Sequence, residues 1–417
     1  NRSGISRPAV AIIIFLLPFA TLAQQPVKVP LANALEQVAR VDPMIVYSQL
    51  SAEFQNVMKV TARTVPKTFA EMELGQNEGP FVDLRMAATQ SFQPMGLARR
   101  LNDMYEARYQ AAMVQGMVVK RDLNRMVRQL YNQFSAGETL LQQLSELDSV
   151  FSSSIKLSER RAAAGETDRM EKLNLELLAA QVVQFKMETE TQQETLRKRL
   201  AILLKSEQRV EPVNYWYSNI YSPLIGDTDV LARHPVVQWR LQEQKAAQMN
   251  TLAEKAMNNV EWVVGFNSIS VTGWQTSKDG LTDSYYDIGD RFFSGTVGVH
   301  IPIFNRGRRA RVEAAGLQER MAGTMVDSEL RQLRVAYGQT LAEWQGLQEQ
   351  IKYMERETLP RVDMVLETTK RRLAAGSINI LEWNVAIKQV IQARFDHIEL
   401  RRRVEDKIID LQYFNEQ

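Results

Sequence analysis

Two glutamates occupy the same place in two copies of one sequence pattern. The stretch RRAAAGETDRMEKLN begins at Arg160 and RRLAAGSINILEWNV begins at Arg371, and each places a glutamate, Glu171 or Glu382, six residues after a glycine. Carboxylates attract cations and repel anions, and the effect grows when several of them surround a narrow passage. The same residues would also suit a solvated helix face, so the spacing alone leaves both interpretations open.

The other chemically reactive residue types show no catalytic or metal-binding pattern. The 417-residue chain contains no cysteine, which excludes disulfides, thiolate metal sites and cysteine nucleophiles. Its three histidines, His234, His300 and His397, lack the spacing of metal ligands, and we interpret them as packing or surface residues. The sequence has no phosphate-binding loop, nucleophile elbow or zinc-protease motif. We therefore expect no enzyme activity, no metal and no cofactor.

The charge balance argues against nucleic acid as a partner. Lysine and arginine total 51, aspartate and glutamate total 49, and the formal net charge is +2. The basic residues are dispersed among acidic ones, which is typical of solvated helix faces.

The first residues have the composition of an export signal. Arg2 and Arg7 precede the apolar run AVAIIIFLLPFA, and small residues follow up to Ala23. The run is too short to span a bilayer comfortably, so we predict a signal peptide at residues 1–23 rather than a membrane anchor. The sequence begins with Asn1 instead of Met, which leaves open that it is a piece of a longer protein.

Long helices dominate the rest of the chain. Residues 97–160 and 308–372 are rich in strong helix formers and contain a single proline, Pro360. Two helices of ~65 residues would each be ~100 Å long at ~1.5 Å per residue. Their apolar residues form broad stripes, which indicates packing against two neighbours. Shorter helices are predicted at 31–63, 166–203, 229–258 and 379–413.

Two segments alternate with the period of β-strands. In the first, at about 66–94, the apolar residues Ala70, Met72 and Leu74 alternate with charged ones, and a polar turn leads to a similar return strand. The second, at about 260–304, alternates in the same way on both of its strands. We predict two hairpins, each with one apolar and one polar face. The charged residues expected on the polar face of the first hairpin are Glu71, Glu73, Asp83 and Arg85.

The predicted elements occur twice in one order, which is helix, hairpin, very long helix, glycine turn and helix. We place the first repeat at 24–203 and the second at 229–417, joined by a polar and aromatic linker at 204–228. Repeats of this length indicate a duplicated half-protein rather than a solenoid.

Prolines and glycines mark matching positions in the two repeats. Pro94 and Pro302 end the hairpins just before the long helices begin. Gly165 and Gly376 are predicted to end the long helices, because glycine adopts the left-handed conformation after a helix without a steric penalty.

Hairpins of this kind suit a membrane-spanning sheet. A tilted strand of roughly ten residues spans a bilayer, with its apolar side towards lipid and its polar side towards a water-filled lumen. Four strands cannot close into a barrel, and open edges are not tolerated in lipid. Copies of the chain would therefore have to pool their strands, and three copies would supply twelve. The alternative is a soluble protein with two ordinary ribbons on a helical body.

The layout resembles the TolC-like outer-membrane efflux channel family of Gram-negative bacteria over nearly the whole mature chain. The segments that carry the resemblance are VGVHIPIFNRGRRARVEAA at 297–315, RRLAAGSINILEWNVAIKQVIQARFD at 371–396, and their counterparts TQSFQPMGLARR and RRAAAGETDRMEKLNLE. It implies a mixed α and β membrane protein, a homotrimer with a twelve-stranded β-barrel to which each chain gives four strands. A periplasmic α-helical barrel would continue below and taper to a closed tip.

The resemblance also implies roles for the repeated residues. Gly165 and Gly376 would lie at the periplasmic tip, with Glu171 and Glu382 as an acidic gate. The protein would be the passive exit duct of a tripartite efflux system, embedded in outer-membrane lipid. Its partners would be an inner-membrane pump of the RND type and a periplasmic adaptor. The junctions QSFQPMG and HIPIFNRGRR look most like the heavy-metal cation branch, so the substrates would be such cations or drugs.

A periplasmic helical adaptor or scaffold protein is the rival interpretation. It would share the signal peptide and the long helices. An adaptor, however, needs a lipoyl-like β-domain split around one helical hairpin, whereas this sequence predicts two helical hairpins and no such domain.

Overall fold

A computed structural model describes residues 26–76, 80–165, 169–213, 228–278, 280–303 and 306–415. The predicted signal peptide and most of the predicted linker lie outside these ranges. Among the described residues, no helix combines the length and the apolar character needed to cross a membrane.

Both halves of the chain run from short helices through strands to long helices. The elements of the first half are β1 Val27–Val29, α1 Leu31–Val41, α2 Pro43–Thr61, β2 Phe69–Gly75, β3 Asp83–Ser91, α3 Leu97–Ala163, α4 Arg169–Leu203 and β4 Val210–Pro212. The elements of the second half are α5 Thr228–Ala232, α6 Pro235–Ala256, β5 Glu261–Ile269, β6 Gly273–Thr276, β7 Asp283–Tyr286, β8 Phe292–His300, α7 Arg306–Tyr353, α8 Leu359–Ala374 and α9 Ile380–Asn415.

The predicted helical runs 31–63 and 229–258 are each divided near their start, at equivalent places. Asp42 caps α2 by accepting a hydrogen bond from the backbone N–H of Met44 at 2.8 Å, and a proline follows the cap. His234 caps α6 in the same way, again just before a proline. A capping side chain followed by proline favours the start of a new helix, which explains both divisions.

The second long helix is interrupted, whereas a single helix over 308–372 was predicted. One turn of π-helix, Met354–Thr358, separates α7 from α8. Pro360 is the second residue after it and has no N–H to donate to the preceding turn. The N–H of Leu359 bonds to the carbonyl of Met354, five residues back, so the backbone passes the proline without ending the helix.

The two predicted hairpins join into one antiparallel sheet in the order β2-β3-β5-β8. The strand predicted at 260–275 is divided, because β5 ends at Ile269 and Gly273, with φ +123°, begins β6 in a separate ribbon with β7. Among the strands that the structure describes, none pairs with the outer edge of β2 or of β8. The sheet is therefore open on both sides.

Like the four strands of the sheet, the helices lie side by side in groups of four. Close to the sheet, α3 packs between α2 and α6, and α6 packs in turn against α7. Farther along, α3 packs between α4 and α9, and α9 packs against α7 and α8. The chain thus forms a wall that is four elements wide at each level. Its outer elements are β2, α2 and α4 on one side, and β8, α7 and α8 on the other.

A small parallel pair braces the middle of the wall. Strand β1 pairs with β4, and Val29 and Val210 are buried with Leu200 and Leu204. The hydroxyl of Tyr131 in α3 donates to the carbonyl of Val29 at 2.8 Å. These contacts tie the start of the chain to the end of its first half.

Candidate functional site

The strand register assigns every side chain of the sheet to one of two faces, because directly paired residues lie on the same face. Met72 pairs with Met86, and Val264 pairs with Val297, and most of the apolar residues of the four strands share one face. We call this the apolar face; its members include Ala70, Met72, Leu74, Leu84, Met86, Ala88, Trp262, Val264, Phe266, Phe293, Val297 and Val299. Phe69, Ile269 and Phe292 lie on the opposite face.

No described residue covers most of the apolar face. Met72 is 69% exposed and Val297 is 73% exposed, and the rings of Phe266 and Phe293 stack on the surface with centroids 5.7 Å apart. Apolar patches of this kind on a protein mark a binding surface or a membrane contact.

The opposite face carries charged residues at both ends of the sheet. Glu71, Glu73 and Arg85 lie on it, and Glu73 pairs with Arg85, with Oε2 and Nη1 3.8 Å apart. Glu261 and His300 lie on the same face at the other end, 3.6 Å apart. The register therefore groups the predicted charged residues on one side, and Glu71, Glu73 and Arg85 are exposed there.

Asp83 departs from the expectation that it would face water. It shares the polar face, but its side chain is only 1% exposed. Its carboxylate accepts a hydrogen bond from the backbone N–H of Thr272 at 2.7 Å, where the chain crosses from β5 to β6. The crossing segment covers the carboxylate, so Asp83 anchors that segment at the end of the sheet.

Arg291 closes the same end of the sheet and was not predicted from the sequence. Its Nη1 donates to the carbonyl of Leu84 at 2.8 Å, and its Nε and Nη2 donate to the hydroxyl and the carbonyl of Ser268, each at 2.9 Å. The residue precedes β8 in a polar loop, where a lone arginine carries no signal of such contacts.

The strand-to-helix junctions contain the two predicted prolines. The carbonyl of Pro94 accepts the N–H of Leu97, the first residue of α3, at 3.0 Å. Pro302 follows β8 and precedes α7.

At the far end of the wall, both predicted glycines adopt the left-handed conformation, with φ +74° at Gly165 and +69° at Gly376. The N–H of Gly376 bonds to the carbonyl of Leu373 at 3.1 Å, and that of Ser377 to the carbonyl of Arg372 at 2.9 Å. This pair of bonds is the Schellman motif, which satisfies the last carbonyls of a helix.

The two glycine turns share one core. The guanidinium of Arg161, near the first turn, lies where a Cβ on Gly376 would be. The rings of Phe151 and Trp383 meet edge to face with centroids 5.4 Å apart. The buried residues of this tip core come from α3, α4, α8 and α9 and their turns: Leu144, Leu147, Phe151, Leu175, Leu178, Val182, Leu366, Leu373, Ile378, Ile380, Trp383, Ile387 and Val390.

Glu382 has a structural role at the start of α9. Its N–H donates to Oδ1 of Asn379 at 2.8 Å, and its own Oε1 lies 3.4 Å from the amide nitrogen of the same residue. This arrangement resembles a capping box, which stabilises a helix start, and the carboxylate remains exposed. Glu171 lies in the first turn of α4, but its side chain is outside the described part of the structure.

A family model matches part of this architecture. Residues 232–413 match the family model described as outer membrane efflux protein. The resemblance predicted from the sequence is confirmed. The match covers the second half of the chain, and it includes α6 to α9 and the strands between them. No curated protein sequence matches the chain.

Solved structures of outer membrane and channel proteins share the fold over almost the whole chain. CusC superposes with a TM-score of 0.76 at 16% identity, covering 92% of this chain and 91% of CusC. The outer membrane protein VceC of Vibrio cholerae gives 0.74 at 13% identity, covering 92% and 95%. The open-state outer membrane channel MtrE of Neisseria gonorrhoeae gives 0.72 at 14% identity, covering 92% and 88%. At these identities the likeness concerns the fold.

A row of buried acids on α9 is a further feature that the sequence did not reveal. Asp410 accepts hydrogen bonds from Arg125 at 2.8 Å and from Gln129 at 2.9 Å, both on α3. Five residues before Asp410, Glu405 is 1% exposed, and neither of its carboxylate oxygens has a hydrogen-bond partner among the described residues. Burial raises the pKa of Glu405 to about 7, because a charge without hydrogen bonds is costly away from water.

Replacing Gly165 and Gly376 by alanine should separate the strain of the left-handed backbone from the steric clash with Arg161. Gly165→Ala adds a Cβ that meets no described atom within 4 Å, so it should cost only the left-handed strain, about 1–2 kcal/mol. Gly376→Ala should cost more, because it must also displace Arg161. Thermal unfolding followed by circular dichroism would measure both, and equal midpoints would contradict the close approach of the two turns.

Glu405 should make stability depend on pH. Its folded pKa of about 7 lies above the ordinary 4.5, so the folded state is favoured below 4.5 and loses that advantage as pH rises through 7. Glu405→Gln should therefore be more stable than the wild type at pH 8, by up to about 3 kcal/mol, with the gain vanishing near pH 4.5. Thermal unfolding at both pH values tests this. The exposed Glu190→Gln on α4 is the control, and a gain that is equal at both pH values would contradict the assignment.

Proposed function

We propose that this protein is the outer-membrane channel of a tripartite efflux system. It would act as a passive exit duct for substrates, either drugs or heavy-metal cations, that an inner-membrane pump of the RND type and a periplasmic adaptor deliver. The efflux-protein match and the shared fold support the class of function. The observation that carries the proposal is the sheet, which has one bare apolar face, one polar face and two open edges.

Closure by copies of the chain follows from the open edges. The N–H and C=O groups along the outer edges of β2 and β8 need partners in lipid, where an unsatisfied polar group costs several kcal/mol. Pairing of β2 with β8 of the next copy would supply them. We infer a homotrimer, because three four-stranded sheets give the twelve strands that the family resemblance implies. The apolar face would then contact outer-membrane lipid, and Glu71, Glu73 and Arg85 would line the lumen.

The helical wall would continue the channel into the periplasm. Helix α3 alone has 67 residues and therefore a length of ~100 Å at ~1.5 Å per residue. Three walls would form a tube of twelve helices, and Gly165 and Gly376 would lie at its periplasmic tip. In this scheme residues 1–23 are the signal peptide, 24–203 and 229–417 are the two repeats, and 204–228 form the linker around the middle.

The proposal is tested by native mass and by conductance. The protein extracted from outer membranes should have the mass of a trimer and should conduct ions in a planar bilayer. Val264→Lys places a charge on the apolar face, where a mid-bilayer lysine costs about 2–4 kcal/mol, and should reduce the yield of membrane-inserted trimer. Thr89→Lys, on the polar face of β3, is the matched control and should be tolerated. A soluble periplasmic monomer would overturn the channel and favour the adaptor or scaffold.

The acidic gate is a second prediction of the same proposal. Three copies of Glu171 and Glu382 near the tip would favour cations over anions. The double variant Glu171→Gln with Glu382→Gln should lower the cation preference in bilayer recordings, while glutamine keeps the helix cap intact. Glu190→Gln, farther along α4, should leave the preference unchanged. Unchanged selectivity in the double variant would remove the gate assignment from both residues.

A further inference from the structure

A groove lies between α3, α4 and α9, in the part of the wall between the brace and the tip. Because α3 packs between the other two helices, it forms the floor, with Gln133, Ala136, Gly137 and Leu140. The volume of the groove is about 650 Å³, which is typical of small-molecule sites, at ~300–1,000 Å³. Leu140 lies about two and a half helical turns after Tyr131, so the groove opens on the face of α3 opposite to the brace.

The groove separates two apolar cores of the wall. Leu140 and Phe395 pack against the tip core, whereas Leu196 packs against the core around the brace. Together with Ile398 they give the groove apolar walls. An elongated apolar group would fill the interval between the two cores.

A buried glutamine of α4 forms part of the same wall. Gln193 is 1% exposed, and its Nε2 donates to the carbonyl of Phe134 on α3 at 3.0 Å. Its Oε1 has no hydrogen-bond partner among the described residues. A Cβ on Gly137 would overlap with Nε2, so the glycine leaves the space in which the amide lies against α3. A buried acceptor without a partner is costly, which points to a ligand that donates a hydrogen bond.

The threonines of the groove also present acceptors. The hydroxyls of Thr189 and Thr195 already donate to the carbonyls of Phe185 and Thr191, at 2.8 and 2.9 Å. A hydroxyl oxygen that has donated its hydrogen keeps lone pairs that accept. The polar groups of the α4 side therefore favour a ligand that donates hydrogen bonds.

The charged cluster on the α9 side is negative. Arg402 donates to Glu399 through Nε at 2.8 Å and through Nη2 at 2.6 Å, and to Asp406 through Nη1 at 2.6 Å. Two carboxylates thus share one guanidinium, which leaves one negative charge on the three side chains. A cation in the groove would be attracted to this cluster, and an anion would be repelled.

We propose that the groove binds an amphiphilic primary ammonium ion. Its apolar part lies along Leu140, Leu196 and Phe395, and its N–H group donates to Oε1 of Gln193. A purely apolar ligand would leave that oxygen unpaired, and a carboxylate would face acceptors and a negative cluster. All the lining residues belong to one chain, so the site goes beyond the proposed duct and does not depend on a ring of copies.

A matched pair of ligands tests the donor. The probe is phenylbutylammonium, and its N,N,N-trimethyl derivative keeps the charge and the ring but has no N–H. Calorimetric titration of the full chain in lipid nanodiscs, with empty nanodiscs subtracted, should show about tenfold tighter binding of the primary ion, as expected for a hydrogen bond that involves a charged group. Equal affinities, or no binding of either ion, would overturn the proposal.

Variants locate the binding in the groove. Gln193→Leu should weaken binding of the primary ion about tenfold and leave the trimethyl derivative unchanged. Thr189→Val keeps the shape of its side chain, should also weaken the primary ion, and replaces the first variant if circular dichroism shows that it does not fold. Glu399→Gln should weaken both ions, because it removes the negative charge. Glu190→Gln, exposed on α4 and outside the groove, is the control and should bind both ions as the wild type does. Wild-type binding of the primary ion by the folded Gln193 or Thr189 variant would contradict the assignment.

Native mass and conductance separate this site from the proposed channel. A conducting trimer that does not distinguish the two ions would overturn the site alone. A monomer that distinguishes them but does not conduct would overturn the channel alone.

Discussion

Unpaired backbone groups at the two edges of the sheet are the constraint on which the rest of the structure depends. Water can satisfy such groups in a soluble protein, but lipid cannot, so a sheet with a bare apolar face and open edges is incomplete in a membrane. The same incompleteness continues below the sheet, where α2 exposes Leu50 and Phe54 and α7 exposes Leu317 and Met321. In the proposed channel, copies of the chain would cover these two sides at both levels.

The similarity of the two halves of the chain would reduce the number of different contacts that a ring of copies requires. Contacts between the first and second halves, β3 with β5 and α3 with α6, are already present in one copy. If the halves are equivalent, each contact between copies repeats a contact within a copy, and one set of surfaces serves the whole ring. The paired left-handed glycines, the paired caps before α2 and α6, and the paired strand-to-helix prolines are the local signs of that equivalence.

The sequence predicted those features that depend on local rules. Alternation with period two assigned the faces of the sheet, and the need for a left-handed residue after a helix located Gly165 and Gly376. The sequence did not predict the features that depend on contacts between residues far apart in the chain. Strands β1 and β4 are three residues each and pair across half the chain, so no local pattern marks them. The burial of Asp83 and Glu405 depends on which segments cross or pack over them, and a charged residue in a helical or alternating pattern is normally assigned to solvent.

In the proposed channel, the tip would combine an apolar core with exposed acidic side chains. The turns of both helical hairpins are held by one apolar core, in which Phe151 and Trp383 meet and Ile378 is buried. Apolar burial is insensitive to salt, whereas the exposed ion pair of Lys172 with Glu159 nearby is screened and adds little. Glu382 stays outside this core and is exposed. In the proposed channel, the apolar core would hold the two turns of each copy together, and the acids would set the preference for cations. A substitution of the acids would therefore leave the packing of the turns intact.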